Sequence, residues 1–209
     1  MRKYSVHAIF GPTIQGEGGM AGTVCHFLRL SGCNMWDGRP ETRAASKCPF
    51  CDTDFFSHTL ATAEGIVDQL LALGAVEWVT VSGGEPGLQV DQGLCDALHR
   101  AGYKIAIETN GTVPLRGVVD YVTMSPKVPP GAIGYTGPVD CLKLLHPHPN
   151  PLITPDAFRD FDAGSRYIQP ITGDTPEATA ANMTGALVLL YSLPEWRLSV
   201  QLHKYIGVD

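Results

Sequence analysis

The sequence predicts an α/β fold, a partial (incomplete) TIM-like barrel of about six parallel strands. Three observations predict it. Strand-length apolar runs alternate with segments of helical period, a pattern that pairs strands in parallel through right-handed crossovers. Several of those runs are apolar almost throughout, as strands covered on both faces are. At 209 residues the chain supports a sizeable core but falls short of the ~250 residues of a full eight-fold barrel. One domain over residues 1–209 is expected,.

The elements follow in order. VCHFLRL (24–30) reads as a strand. ATAEGIVDQLLALG (61–74) reads as a helix, with Ile66, Val67, Leu70, Leu71 and Leu73 as its apolar positions and Gly74 as its stop,. EWVTVSGG (77–84) is a strand running into glycines. DQGLCDALHRAG (91–102) is a helix capped by Asp91 and stopped by Gly102,. YKIAIETNG (103–111), DYVTMSPK (120–127) and DCLKLLH (140–146) are strands with little or no helix between them. PDAFRDF (155–161) reads as a short helix and SRYIQPIT (165–172) as a strand. PEATAANMTGALVLLYSL (176–193) is a helix, and WRLSVQLHKYIGV (196–208) closes the chain as a strand.

In such sheets ligands bind outside the C-terminal strand ends, and polar residues cluster there. The strands run in turn into Ser31-Gly32-Cys33, Ser82-Gly83-Gly84-Glu85-Pro86, Glu108-Thr109-Asn110, Ser125-Pro126-Lys127, Lys143, and Gln169-Pro170. Glycine turns explain one or two of these. Six strands delivering polar groups to one rim describe a single active site. The run after Val81 is a turn signal by itself; following a strand, its glycines also let a ligand approach the backbone.

Composition narrows the partners. The net charge is −6 with no run of like charge, and nucleic-acid binding needs clustered Lys and Arg, so no nucleic-acid partner is expected. The N-terminus has no long apolar run, and GALVLLYSL is too short to span a bilayer,. No membrane partner and a cytoplasmic location are expected, with the six cysteines as free thiols,. Cys25, Cys95 and Cys141 sit in apolar segments and read as buried, inert thiols,.

Cys33, Cys48 and Cys51 are different. Fourteen residues separate the first two and two separate the last pair, in CPFC. Three thiolates can hold three corners of a 4Fe–4S cluster and leave one iron open. They can equally serve a structural zinc with a histidine such as His58,, although the usual short zinc spacing is missing. On spacing alone, zinc, an open cluster and no metal remain alternatives.

C-x14-CPFC followed by a strand ending in SGGEP resembles the radical S-adenosylmethionine superfamily, whose usual first gap is three residues. The fourteen-residue insertion is similar to that of the 7-carboxy-7-deazaguanine synthase family. So are TIQGEG (13–18), FLRLSGCNMW (27–36), CDTDF (51–55), IAIETNGT (105–112), SPK (125–127), IQP (168–170) and WRLSVQLHKY (196–205), which span almost the whole chain. The resemblance implies a radical S-adenosylmethionine core. It implies a 4Fe–4S cluster on Cys33, Cys48 and Cys51, with S-adenosyl-L-methionine chelating the open iron and cleaved to a 5′-deoxyadenosyl radical. Phe50, Asp52, Gly84, Glu85, Ser125, Pro126, Lys127 and Gln169 would contact that cofactor, and Thr53 would hold Mg2+.

The implied substrate is 6-carboxy-5,6,7,8-tetrahydropterin, converted to 7-carboxy-7-deazaguanine with ring contraction and loss of ammonia. Carboxylates and amides match a pterin edge. The implied set is Gln15 and Glu108, the Ile14–Gly16 backbone, Glu17 and Ser82, with His203 and the terminal carboxylate of Asp209 lining the pocket. Arg29 would pair with the substrate carboxylate,. The tail, IGVD, departs from the family pattern. Implied partners are the pterin, a reducing partner such as flavodoxin, and a second copy in a homodimer. Two other readings compete: an activase with an open groove for a polypeptide, and a zinc-stapled binding module without catalysis.

Overall fold

A computed structural model describes residues 1–208. Nine strands form one sheet: β1 (Tyr4–Ile14), β2 (Val24–Leu30), β3 (Thr59–Ala61), β4 (Trp78–Gly83), β5 (Lys104–Thr109), β6 (Tyr121–Met124), β7 (Cys141–His146), β8 (Ser165–Pro170) and β9 (Trp196–Leu198). The order is β3-β1-β2-β4-β5-β6-β7-β8-β9. From β2 to β9 every neighbouring pair is parallel, while β1 pairs antiparallel with β2 and β3. β3 and β9 are the sheet's two ends, so the curl stays open as the chain length predicts.

The helices are α1 (Ala63–Ala72), α2 (Gln92–Arg100), α3 (Pro176–Leu190) and α4 (Leu202–Ile206). Each of the first three is capped by a side-chain oxygen: Thr62 accepts from Gly65 N, Asp91 from Leu94 N, and Thr175 from Ala178 N,. Gly74 and Gly102, both at positive φ, follow α1 and α2 as the sequence predicts,.

Strand side chains alternate between two faces. Leu28, Leu30, Val79, Val81, Ile105 and Ile107 point to the face covered by α1 and α2 and form one core with Ile66, Leu70, Leu94 and Leu98. Leu142, Leu144, Ile168 and Met124 form a second core under α3, with Phe158 and Trp196. Burying each such side chain contributes about 1.5–3 kcal/mol. The alternate positions, Arg29, Ser82, Glu108, Lys143 and Gln169, face inward and line a cavity. Burial on both faces is therefore real, but one face is polar because it carries the site.

The structure departs from the expected elements in four places. β1 is a long strand that the sequence hides: Gly11-Pro12 interrupts it, and its register with β2 shifts twice, as bulges at a proline allow. β3 is a three-residue strand after the cysteine segment. Residues 155–161 form hydrogen-bonded turns rather than a helix, with Arg159 N donating to Asp156 O and Phe161 N to Phe158 O. The closing strand ends at Leu198. Ser199 is drawn inward, donating to Gln169 Oε1 and accepting from Gly18 N, and the chain then turns into α4, which ends at Gly207 in the left-handed region. Among the described residues no helix is long and apolar enough to cross a membrane.

Candidate active site

The inner face encloses a cavity of about 350 Å3 at the C-terminal ends of the parallel strands. β2 delivers Arg29, β4 Ser82, β5 Glu108, β7 Lys143 and β8 Gln169, and the loops add Gln15, Glu17, Ser125 and Lys127. This volume suits a small heterocycle rather than a polypeptide groove.

Its floor is a buried ionic trio. The Lys143 ammonium pairs with Glu17 Oε2, and with Glu108 Oε2 at 3.1 Å. Glu108 Oε1 accepts from Gln15 Nε2 at 3.1 Å, and Glu17 Oε1 accepts from Gln201 Nε2 at 2.8 Å. Gln15 is itself oriented, because its Oε1 accepts from Glu17 N. Burial alone would raise the Glu17 carboxyl, but Lys143 overrides it and holds the group at about 2. Burial, reinforced by the nearby Glu17 charge, pushes Glu108 up against the pull of Lys143. Lys143 is raised despite burial, because Glu108 and Glu17 both favour its charged form.

Arg29 crosses the Phe10 ring at 5.7 Å, and Phe10 stacks on Phe27 at 5.1 Å. The described residues give its guanidinium no hydrogen-bonding or ion-pair partner, so its donors face the cavity free. Burial lowers its pKa, which leaves it cationic near neutrality. Lys127 donates to Ser125 O and Oγ at 2.8 and 2.7 Å and lies 5.9 Å over the Phe50 ring. His148 meets the same ring edge-on, at 5.6 Å.

The structure brings most sequence-predicted site residues to this one cavity: Ile14, Gln15, Glu17, Arg29, Phe50, Asp52, Thr53, Ser82, Gly84, Glu108, Ser125, Lys127, Gln169 and His203, with the three cysteines. Others lie elsewhere. Glu85 is buried behind the wall, where its carboxylate accepts from Gly87 N, Thr109 Oγ1 and Asn110 N, tying two strand-end loops together. Gly16 and Pro126 are not among the lining residues. Gly16 packs so closely on His203 that a Cβ would collide with the imidazole. Asp209 lies outside the described residues.

The expected cofactor set is corrected. Among the described residues, no three His, Cys, Asp or Glu side chains come together in a group that could hold a metal ion. Cys33, Cys48 and Cys51 share the cavity wall but remain separate free thiols. Cys33 Sγ accepts from Met35 N and Cys51 Sγ lies 3.9 Å from Thr53 O. Burial raises all three thiols, Cys48 to about 11. This arrangement fits neither the 4Fe–4S cluster nor the alternative zinc. S-adenosyl-L-methionine was expected through the open iron and loses that anchor. Among the described residues no three His, Cys, Asp or Glu side chains gather near Thr53 to complete an Mg2+ site.

Sequence reasoning missed two contributors and the setting of a third. Lys143 was visible as a polar strand end, but its burial between two carboxylates depends on the fold. Gln201 and Lys204 were read as part of a strand. The structure puts them at the cavity mouth, where Lys204 Nζ reaches Asp52 Oδ2 at 2.9 Å and Thr172 Oγ1 at 3.2 Å. Its contacts to Asp52 span 149 and 152 residues of chain.

No family model matches the chain. The chain is similar to the 7-carboxy-7-deazaguanine synthase of Caulobacter vibrioides, 41% identical over 98% of this chain and 99% of that protein. It is 40% identical to the synthase of that name from Bordetella pertussis, over 98% and 99%. It is 36% identical to the one from Bacteroides thetaiotaomicron, over 94% of each. A crystal structure of QueE from Escherichia coli superposes with a TM-score of 0.63 at 22% identity, covering 96% of this chain and 95% of that one. That likeness shows the shared partial-barrel fold.

Proposed function

The chain belongs to the 7-carboxy-7-deazaguanine synthase family, and from that premise we propose that it converts 6-carboxy-5,6,7,8-tetrahydropterin to 7-carboxy-7-deazaguanine with loss of ammonia. The product would feed 7-deazapurine and queuosine synthesis. One observation supports the substrate assignment above others: a half-buried Arg29 with free donors and an all-acceptor carboxylate pair share one small cavity. A carboxypterin carries both complements, an anionic carboxylate for the guanidinium and N–H donors for the carboxylates. Gln15 and Ser82 supply further polar contacts, and Phe50 an aromatic wall. A homodimer is part of this reading and rests on family membership alone.

Complementation tests it. A strain lacking its own synthase, given this chain, regains queuosine in its tRNA by mass spectrometry. The Arg29→Met variant, expressed to the same level, restores less than about a tenth, as loss of a charge-assisted pair of 1.5–3 kcal/mol implies. A soluble, folded chain that restores none sinks the proposal.

A further inference from the structure

Lys143 sits mid-strand on the inner face of β7, with its side chain 4% exposed. Both carboxylates touch its one ammonium, and their other oxygens accept from Gln201 and Gln15. Every protein group that these contacts bring to Glu17 and Glu108 is a donor, so the pair presents only acceptors while both are ionised. Two largely enclosed carboxylates that share one ammonium, with side chains 18% and 19% exposed, disfavour ionising together once it is removed,. One would take a proton and become a donor. Lys143 therefore governs what the floor of the cavity can recognise, without needing to touch the ligand.

We propose that Lys143 is a positioning residue that keeps the Glu17–Glu108 pair an all-acceptor edge, so that the cavity selects heterocycles presenting paired N–H donors and rejects those with a carbonyl in their place. The proposal rests on the pterin reading above. In a pterin those donors are the 2-amino group and N3–H. A lumazine, with a 2-carbonyl, would set an acceptor against a carboxylate.

Other charges face the trio. Lys127 acts on both Lys143 and Glu108. Arg29, Asp52 and His203 act on Glu17. Cys141 lies beside Lys143 on the same strand face. None of them touches both carboxylates, so none replaces Lys143.

The test uses the fluorescent probes 6-carboxypterin and 6-carboxylumazine with three proteins: wild type, Lys143→Met, and the double variant Lys143→Met/Glu17→Gln. The sum of formal charges in the trio is −1 in the wild type, −2 in the single variant and −1 again in the double. Wild type should prefer the pterin on the order of tenfold. The single variant should lose that preference near neutral pH and recover part of it at higher pH, as the shared proton leaves. The double variant keeps one carboxylate and sets beside it an amide with N–H donors of its own, so its preference should stay below that of wild type and not change with pH. Infrared difference spectra supply a readout without ligand: a protonated-carboxyl band should appear only in the single variant.

A purely structural lysine predicts a single variant whose preference does not change with pH, and that result overturns the proposal. So does a folded single variant with wild-type preference and no such band. Should wild type bind neither probe, the pterin reading fails, while the infrared band still decides whether Lys143 keeps the pair ionised.

Discussion

His148 shows how one half-buried residue writes a pH dependence into this fold. Its Nδ1 accepts from Asn150 N at 3.0 Å, its ring meets Phe50, and its buried Nε2 has no protein partner among the described residues. Burial first, and the Lys127 charge second, lower its pKa from 6.5 to about 4. The folded state thus resists a proton that the unfolded chain accepts. The stability tied to neutral His148 is complete above pH 6.5 and is lost as pH falls through about 4, an effect of at most about 3 kcal/mol. His148→Gln should flatten melting temperature against pH across that window relative to wild type. A residual slope should remain, because burial also lowers His26, His146 and His203. Parallel curves for the two proteins would show that His148 is protonated as easily when folded as when unfolded.

At the scale of elements, what could be read from the sequence followed from local signals. α1 and α2 carry caps and glycine stops within a few residues of where the structure has them, and β2 and β4 through β8 were visible as apolar runs with polar ends. β1 was not, because Gly11-Pro12 resembles a loop and only pairing with β2 makes it a strand. The C-terminus misled for a similar reason. WRLSVQLHKY alternates as a strand would, yet Ser199, Gln201 and Lys204 find partners on three distant segments and bend the chain into α4. The cysteine spacing left a cluster, a zinc site and no metal open, and the resemblance implied the cluster that the folded arrangement does not gather; spacing along the chain does not report where thiols converge. The clasp on α4 gives a prediction. Its Lys204–Asp52 pair is partly exposed, with side chains 41% and 56% accessible, and such pairs contribute up to about 1 kcal/mol. Lys204→Ala should speed amide exchange over residues 199–208 by up to about fivefold, with β4 and β5 unchanged. Equal acceleration throughout the sheet would mean that the clasp supports the whole fold rather than its own segment.

Across the whole molecule, the apolar interior falls into two parts that meet at β6. Val122 belongs to the core under α1 and α2, and Met124, two residues on, to the core under α3. The seam is thinly paired: β6 meets β7 only at Thr123–Cys141 and Met124–Leu142, and only a short 3-10 turn lies between those strands. The site bridges this seam. Glu108 comes from one side, Lys143 and Gln169 from the other, and the ion pair at 3.1 Å joins them. A ligand seated on Glu108 and packed against Gln169 therefore binds only when both halves are in place. At 100 times its dissociation constant, 6-carboxypterin should stabilise the native state by about 2.7 kcal/mol. Because one ligand holds both halves, amide exchange should slow in β4 and β5 on one side and in β7 and β8 on the other by similar factors. Protection confined to one half would mean that the ligand sits within that half and that the seam is not part of the site. The Lys143→Met variant separates the two contributions to this coupling. It removes the direct link between Glu108 and β7, so the halves of the ligand-free variant should exchange with more widely separated rates than in wild type, and saturating ligand should bring those rates together again.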